Sequence, residues 1–187
     1  DFTTAPEMTQ MFGELLGLSL AQAWMDQGAP SSFVLAEIGP GRGTLMADLL
    51  RATNQVPGFQ DALDLHLIEA SPALRAKQRE LLGDATWHDD VSTLPDGPLF
   101  LVANEFFDAL PVRQFIREGE LWRERLVGFE NAQLCFGMGA PTDQPLLRHR
   151  LEDTEEGHLV EICEAAHLIV HEIGTRIKRH GGVALII

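Results

Sequence analysis

Apolar and polar positions change their spacing several times along this chain, and the changes predict its elements. Short apolar-rich segments bounded by glycine, proline or acidic residues are typical of strands buried in a sheet. Longer segments with apolar residues three and four positions apart are typical of helices. The predicted strands are residues 33–38, 63–68, 86–88 and 99–103, and the predicted helices between them are residues 44–50 and 72–82. Because strands and helices alternate, we predict an α/β fold with a parallel sheet covered by helices on both faces.

The N-terminal helix is predicted from its capping pattern. Thr4-Ala5-Pro6-Glu7 has the form of a capping box, in which a hydroxyl and a carboxylate each bond a free backbone N–H at the start of a helix. Apolar residues then recur to about Met25, and Gly28 is a stop signal. These features predict one continuous helix from the capping box to Met25.

The pattern changes after Pro111. Alternating segments within residues 112–138, separated by Glu-Gly and Glu-Asn pairs, predict an antiparallel β insertion. Residues 139–158 are polar, have no period and are predicted to form a surface loop. Residues 159–179 are predicted to form a long helix that leads, through two glycines, into a final strand. The whole chain is therefore interpreted as one domain that carries an insertion.

Composition and charge restrict the partners. The 187 residues are 45% hydrophobic, which is enough for one domain with a full core, and carry a formal charge of −14. Such a field repels phosphate backbones and disfavours a nucleic-acid substrate. Two cysteines do not form a disulfide framework and fit a reducing compartment. Without an apolar run of membrane-spanning length or a visible leader, we expect a bacterial cytoplasmic protein, with the mitochondrial matrix as the eukaryotic equivalent.

Both ends of the chain are expected to be truncated. The sequence starts at Asp1 rather than at a methionine, and it stops within the apolar, strand-like run 184–187.

A glycine-rich loop follows the first predicted strand. Gly39, Gly41 and Gly43 have the spacing G-x-G-x-G, and Glu37 lies two residues ahead of them. Glycines allow a tight turn and a close approach of the backbone to a ligand. The spacing differs from both the G-x-x-x-x-G-K loop and the G-x-G-x-x-G loop. An acidic residue at this place suits a ligand with an ammonium group, and S-adenosylmethionine has one.

Further carboxylates follow the other predicted strands. Glu69 ends the second strand, where a carboxylate would accept hydrogen bonds from two ribose hydroxyls, and Asp89-Asp90 ends the third. Each signal alone fits a turn or a solvated loop equally well. Because ligands of open parallel sheets bind at the carboxyl ends of strands, their combination predicts a cofactor site.

Three segments of the chain resemble the MidA-like methyltransferases. They are "DFTTAPEMTQMFGE" (1–14), "EIGPGRGTLMADLLR" (37–51) and "NEFFDALPVRQF" (104–115). This family includes the mitochondrial assembly factor of respiratory complex I that methylates an arginine of a complex I subunit. The resemblance implies a Rossmann-like class I methyltransferase fold, S-adenosylmethionine as donor, and a protein substrate of the complex I subunit type.

The resemblance also implies which residues bind the donor. They are Glu37, Gly39, Gly41 and Gly43 along the donor, Glu69 on its ribose, and Thr4 and Glu7 nearby. Where many family members have Asp-Phe-Tyr-Thr, this sequence has Asp1-Phe2-Thr3-Thr4 and contains no tyrosine. A role that depends on the hydroxyl group of that tyrosine is therefore not expected in this chain.

The segment after the fourth strand is the candidate acceptor site. Glu105 and Asp108 are placed to hold the planar fork of an arginine guanidinium, with Asn104 as an added hydrogen-bonding group. Alternatively, Asn104 and Asp108 cap a turn, whereas Glu105 is favoured as functional. For Phe106 and Phe107 we favour packing in the core.

Other interpretations of the sequence compete with methyl transfer to a protein. Cys163, His167 and His171 share one helical stripe, but a second ligand cluster is missing and no metal site is predicted. A small-molecule methyltransferase and a non-catalytic assembly chaperone remain open alternatives. The glycine spacing disfavours an NAD-dependent dehydrogenase. The insertion at 112–138 and the loop at 139–158 are the predicted partner-recognition elements.

Overall fold

The structure, a computed structural model, describes residues 5–187. These residues form two compact units, one of residues up to Ala109 together with Leu168–Ile187, and one of Leu110–His167. None of the helices formed by the described residues has the length and apolarity needed to traverse a bilayer.

The elements follow one another along the chain with few long connections. The strands are β1 (Phe33–Ile38), β2 (Leu63–Ile68), β3 (Thr86–His88), β4 (Leu99–Ala103), β5 (Arg113–Glu118), β6 (Leu121–Glu130), β7 (Gln133–Thr142), β8 (Leu159–Ile162) and β9 (Gly182–Ile186). The helices are α1 (Ala5–Met8), α2 (Gln10–Asp26), α3 (Thr44–Thr53), α4 (Phe59–Ala62), α5 (Pro72–Leu82) and α6 (Glu164–His180).

The first unit is built on a parallel sheet with the strand order β3-β2-β1-β4-β9. Side chains of β1 alternate between its two faces, as expected for a central strand. Phe33 and Leu35 pack in a core with residues of α2 and α3. Val34 and Ala36 pack in a second core with Ile173 of α6. The predicted α/β fold with a parallel sheet covered on both faces is confirmed.

The N-terminal helix is interrupted, in contrast to the single helix predicted from the sequence. α1 ends at Met8, and α2 begins after Thr9, whose hydroxyl accepts a hydrogen bond from the Met11 N–H at 3.3 Å. A threonine side chain that caps the backbone two residues on favours a new helix start over continuation. The predicted role of Thr4 falls outside the described residues.

The second unit is an antiparallel sheet with the strand order β7-β6-β5-β8. The hairpin of β6 and β7 extends beyond the predicted insertion, because β7 continues to Thr142. Residues 145–151 form a 3-10 helix whose Leu147 is buried. The segment 139–158, predicted to be a surface loop, therefore has regular structure over much of its length. Its sequence has no visible period, and the buried Leu147 anchors it.

The segment 159–162 is a strand and not the first turn of a helix, so this part of the helix prediction was wrong. Val160 and Ile162 alternate with exposed neighbours and join Phe115 and Trp122 in the core of the second unit. β8 pairs with β5, with Val160 opposite Phe115. A segment of only four residues fits both the two-residue period of a strand and part of a helical period. Its pairing with β5 therefore decides its conformation.

Candidate functional site

Two cavities border the carboxyl ends of the parallel strands. The order of the strands reverses between β1 and β4, which is where open α/β sheets bind ligands. The first cavity has a volume of about 170 Å³ and the second about 210 Å³, and Gly39 lines both. The first is lined by Pro6, Glu7, Glu37, Gly39, Pro40, Gly41, Arg42, Thr44, Leu45, Asn104 and Glu105. The second is lined by Ile38, Gly39, Ile68, Glu69, Ala70, Asp89, Asp90, Val91, Phe106 and Ile169.

Glu37 provides a buried carboxylate at the first cavity. It continues the face of β1 that carries Phe33 and Leu35, and it is only 3% exposed. Among the described residues its Oε2 has no hydrogen-bond partner. Desolvation by burial raises the pKa of Glu37 to about 8. An unpaired carboxyl group that lines a cavity is chemically suited to bind a cation, which would favour its ionised form.

The glycine loop turns tightly between β1 and α3. Gly39 and Gly41 have φ angles of +68° and +55°, which favour glycine. A Cβ on Gly41 would meet no atom within 4 Å, whereas a Cβ on Gly39 would lie 3.0 Å from Cδ2 of Phe106. Gly43 precedes α3, and its Cβ would lie 3.1 Å from Leu82 of α5. Gly39 and Gly41 line the first cavity. Gly43, which was also predicted to lie along the donor, lines neither cavity and allows α5 to pack closely against the loop.

Glu7 connects α1 to the start of α3. The hydroxyl of Thr44 donates a hydrogen bond of 3.0 Å to Glu7 Oε1, and the Arg42 guanidinium lies 3.7 Å from Glu7 Oε2. Glu7 thus lies beside the glycine loop and lines the first cavity.

Glu69 and the two aspartates meet at the second cavity. Glu69 Oε1 accepts a hydrogen bond of 2.8 Å from the N–H of Ser71. Asp90 caps the 3-10 helix of residues 91–93 by accepting from the N–H of Ser92, and these hydrogen bonds lower the pKa of Asp90. Asp89 is exposed and forms an ion pair with Arg75. The structure brings the three carboxylates to the same cavity, and each of them also has a partner within the protein.

Gln78 of α5 was not predicted from the sequence. It is fully buried and donates hydrogen bonds to the Gly41 carbonyl at 2.7 Å and to Glu69 Oε2 at 3.3 Å. It lies between Leu74 and Leu82 at helical spacing, so it occupies the central position of an apolar stripe. A glutamine at such a position was the available signal, because a buried amide requires partners.

The segment after β4 places two carboxylates side by side. Asn104 and Glu105 line the first cavity, and Glu105 is exposed. The hydrogen bond and the negative charge of Asp108 raise the pKa of Glu105. Asp108 does not line either cavity but lies within reach of Glu105. Glu105 and Asp108 are thus close enough for Asp108 to affect the pKa of Glu105, and Asn104 lines the same cavity as Glu105. Their joint role as a clamp for a guanidinium stays a prediction.

Backbone strain accompanies this arrangement. Glu105 has a φ angle of +52°, which is uncommon for a residue with a side chain, and its N–H donates to the Ile187 carbonyl at 2.8 Å. Ile187 in turn donates to Ala103 at 3.0 Å. The backbone of Ile187, the residue after β9, therefore fixes the position of the Glu105 N–H.

The two phenylalanines of this segment pack in the core, as predicted. Phe106 and Phe107 contact the second core cluster, with their ring centroids 5.3 Å apart and edge to face. Phe106 also lines the second cavity and covers Gly39. Its ring is therefore a wall of the site as well as a core residue.

The two cavities together fit a ligand with an ammonium group and a ribose. The first offers the unpaired carboxyl oxygen of Glu37. The second offers Glu69, whose oxygens each retain a lone pair besides the hydrogen bond that they accept from the protein. These are the two groups expected for S-adenosylmethionine, and the residues present fit it.

Comparison with known proteins gives the same family for the sequence and for the structure. The model of the family of S-adenosyl-L-methionine-dependent methyltransferases called Methyltransf_28 matches residues 15–187. The mitochondrial protein arginine methyltransferase NDUFAF7 of Xenopus tropicalis is 35% identical over all of this chain and 50% of its own length. The human protein of the same name is 34% identical over all of this chain and 48% of its own length.

A solved structure gives the same result. A protein from Burkholderia thailandensis, solved with S-adenosylhomocysteine bound, superposes with a TM-score of 0.74 at 30% identity. The match covers 94% of this chain and 46% of that protein. The chain thus spans about half the length of the curated relatives it matches. With the family model covering residues 15–187, the chain belongs to the MidA-like family of S-adenosyl-L-methionine-dependent methyltransferases.

Proposed function

We propose that this chain binds S-adenosylmethionine and transfers its methyl group to an arginine of a protein partner. The observation that carries the donor half of the proposal is Glu37, a buried carboxyl group with an unpaired oxygen at a cavity of the glycine loop. The acceptor half is supported by the names of relatives, which are protein arginine methyltransferases.

On the donor side, each residue has a distinct role in the proposal. Glu37 pairs with the ammonium group, Gly39 and Gly41 allow the ligand to approach the backbone, and Gly43 maintains the packing of the loop. Glu69 accepts hydrogen bonds from the ribose hydroxyls. Asp89 and Asp90 border the nucleoside, and Glu7 closes the rim of the first cavity. Thr4 remains a proposed neighbour from sequence alone.

On the acceptor side, Glu105 and Asp108 hold the guanidinium. S-adenosylmethionine supplies a methyl group already activated on a sulfonium. The chain must therefore position a poor nucleophile, because the arginine charge is delocalised. Two adjacent carboxylates draw positive charge onto two guanidinium nitrogens and leave the third free to react. Asn104 adds a hydrogen bond, and either carboxylate accepts the released proton.

Protein recognition is assigned to the hairpin of β6 and β7. Residues opposite one another in its register share a face, and one face displays apolar side chains. These exposed residues are Val127, Phe129, Leu134, Phe136 and Met138. Exposed apolar patches commonly mark protein-binding surfaces. Following the family resemblance, we propose a complex I subunit as the partner that docks there.

Variants of the hairpin can distinguish a folded protein substrate, which would dock there, from a small substrate, which would not. Replacing Phe129 and Leu134 with serine should lower kcat/KM for a folded protein substrate at least several-fold. It should leave methylation of a short arginine peptide unchanged, because such a peptide has no folded surface for the hairpin to bind. Equal losses for both substrates would contradict the docking role.

Calorimetric titration with S-adenosylhomocysteine tests the donor site first. Gly41→Val places a side chain into the cavity and should abolish binding. Gly119→Val is the matched control, since Gly119 has a similar φ of +63° and equally open surroundings but lies in the turn between β5 and β6. Binding by the wild type and by the control, with none by Gly41→Val, supports the donor site. Unchanged binding by Gly41→Val would contradict it.

Glu105→Gln then tests catalysis. It should leave the affinity for S-adenosylhomocysteine unchanged and lower methylation of an arginine peptide by roughly 100-fold or more, as expected for loss of a charged positioning group. If methylation persists, Glu105 has no catalytic role. If the variant lacks methylation but the partner complex still assembles in cells, methyl transfer is not needed for assembly. Assembly that is lost only with docking variants would support the chaperone alternative.

A further inference from the structure

We infer that Gln78 is a positioning residue that orients Glu69 and the glycine loop toward one ligand. The inference rests on the proposed donor site, in which Glu69 binds the ribose. Gln78 lies on α5, and its side chain contacts neither cavity directly. Its hydrogen bonds join the glycine loop, which lines the first cavity, to Glu69, which lines the second.

The amide of Gln78 is held in a single orientation. The indole N–H of Trp87 donates to Gln78 Oε1 at 2.7 Å, and an indole nitrogen is a donor only. The Gly41 carbonyl and the Glu69 carboxylate are acceptors only, so each requires the NH₂ side of the amide. All three partners therefore agree on one orientation, and a flipped amide would lose all three bonds.

This orientation fixes the carboxylate of Glu69 between two donors. Glu69 Oε1 accepts from the N–H of Ser71, and Glu69 Oε2 accepts from Gln78. A carboxylate held at both oxygens cannot rotate freely, and its remaining lone pairs stay directed in a fixed plane. A fixed plane favours bidentate recognition of two neighbouring hydroxyls over a single one.

The second bond of the same NH₂ group ties the glycine loop to this carboxylate. Gln78 and Gly41 are 37 residues apart in the sequence, and their hydrogen bond is short at 2.7 Å. Because Gln78 is fully buried, water cannot replace the lost partners at low cost. Removing the amide therefore releases the loop and Glu69 together while the rest of the core retains its apolar contacts.

The test is the preference for a ribose over a 2′-deoxyribose ligand. The dissociation constants of S-adenosylhomocysteine and its 2′-deoxy analogue are measured by calorimetry for the wild type and for Gln78→Met, which keeps the volume but has no donors. We expect the wild type to prefer the ribose ligand by roughly 10-fold or more, as the loss of one hydrogen bond to a charged carboxylate predicts. In Gln78→Met the preference should fall below about 3-fold, toward the value for Glu69→Ala.

A matched control isolates positioning from stability. Gln60 also donates two hydrogen bonds, to the Leu50 carbonyl at 3.0 Å and to Thr53 Oγ1 at 2.9 Å, but it lines neither cavity. Gln60→Met should therefore retain the ribose preference of the wild type, even where its melting temperature falls as much as that of Gln78→Met.

The outcomes separate this inference from the proposed function. If the wild type does not bind S-adenosylhomocysteine, the donor site itself is wrong and the inference falls with it. If the wild type prefers ribose and Gln78→Met keeps the same ratio, only the positioning role is overturned. Should Gln78→Met fail to fold, Gln78→Asn keeps a polar amide but is one methylene too short to bond both Gly41 and Glu69, whose Oε2 is already 3.3 Å from Gln78 Nε2. The same loss of preference is expected in that variant, and an unchanged ratio would overturn the inference.

Discussion

Glu37 shows how burial prepares a single residue for a charged ligand. Its pKa of about 8 in the free protein means that the carboxyl group is mostly protonated at pH 7. An ammonium group placed beside it would lower this pKa by favouring the ionised form. Binding must then release a proton.

We therefore expect S-adenosylhomocysteine to release close to one proton at pH 7 and to bind more tightly as the pH rises from about 6 to about 8. Calorimetry in buffers of different ionisation enthalpy measures the released proton. In Glu37→Gln, proton release should disappear and the affinity should lose this pH dependence. Binding without proton release in the wild type would contradict an ion pair with Glu37.

Glu105 combines backbone strain with a proposed catalytic role. A left-handed φ of +52° is unfavourable for glutamate and natural for glycine. Glu105→Gly should therefore change the free energy of unfolding by less than about 1 kcal/mol, because relief of strain offsets the greater flexibility of the unfolded chain. Methyl transfer to an arginine peptide should be lost as in Glu105→Gln.

Ala132 is the control for that substitution, since it has a similar φ of +61° in the turn of the β6–β7 hairpin. Ala132→Gly should be equally mild in urea unfolding and should keep full transfer to the peptide. A large loss of stability in Glu105→Gly would mean that the side chain supports the fold and that its effect on activity is indirect.

At the scale of elements, α2 packs against α3 through glycines. A Cβ on Gly17 would lie 2.9 Å from Cγ of Leu49 and 3.0 Å from its Cα, and a Cβ on Gly13 would lie 2.7 Å from Cβ of Asp48. Glycine within a helix costs about 1 kcal/mol relative to alanine. The close contact between α2 and α3 therefore outweighs the low helix propensity of glycine at these positions.

Gly17→Ala should destabilise the protein by about 1–3 kcal/mol despite its better helix propensity, because the methyl group overpacks the contact. Gly174 of α6 has nothing within 4 Å of its would-be Cβ, so Gly174→Ala should stabilise by about 0.5–1 kcal/mol. Urea unfolding monitored by circular dichroism measures both. Stabilisation by both substitutions would show that the α2–α3 contact relaxes easily.

At the scale of the whole molecule, the net charge of −14 favours a cationic partner. Electrostatic attraction accelerates encounter at low ionic strength and is screened over about 10 Å in 0.1 M salt. We expect kcat/KM for an arginine-rich peptide to fall several-fold between about 50 mM and 500 mM NaCl. The affinity for S-adenosylhomocysteine should change little, because this ligand has no net charge. Equal salt dependence of both quantities would argue against steering.

Several elements were predictable because their signals are local. Strands 33–38, 63–68, 86–88 and 99–103 have the predicted bounds, since glycine, proline and charge mark their ends. The proline-capped helix at 72–82 was equally clear. The strand at 159–162 was missed because four residues support two periods, and only its pairing with β5 selects one.

The sequence by itself determined the α/β class, the glycine loop, the acidic residues at the strand ends and the family resemblance, because each depends on residues that are neighbours in the chain. The tertiary structure decided the order of the strands and the meeting of Glu105 with Glu37 and the glycine loop at one cavity. It also decided the burial of Glu37 and the hydrogen bonds of Gln78 to two distant segments. Burial and hydrogen-bond partners depend on contacts between residues far apart in sequence, and a local pattern contains no information about which of them meet.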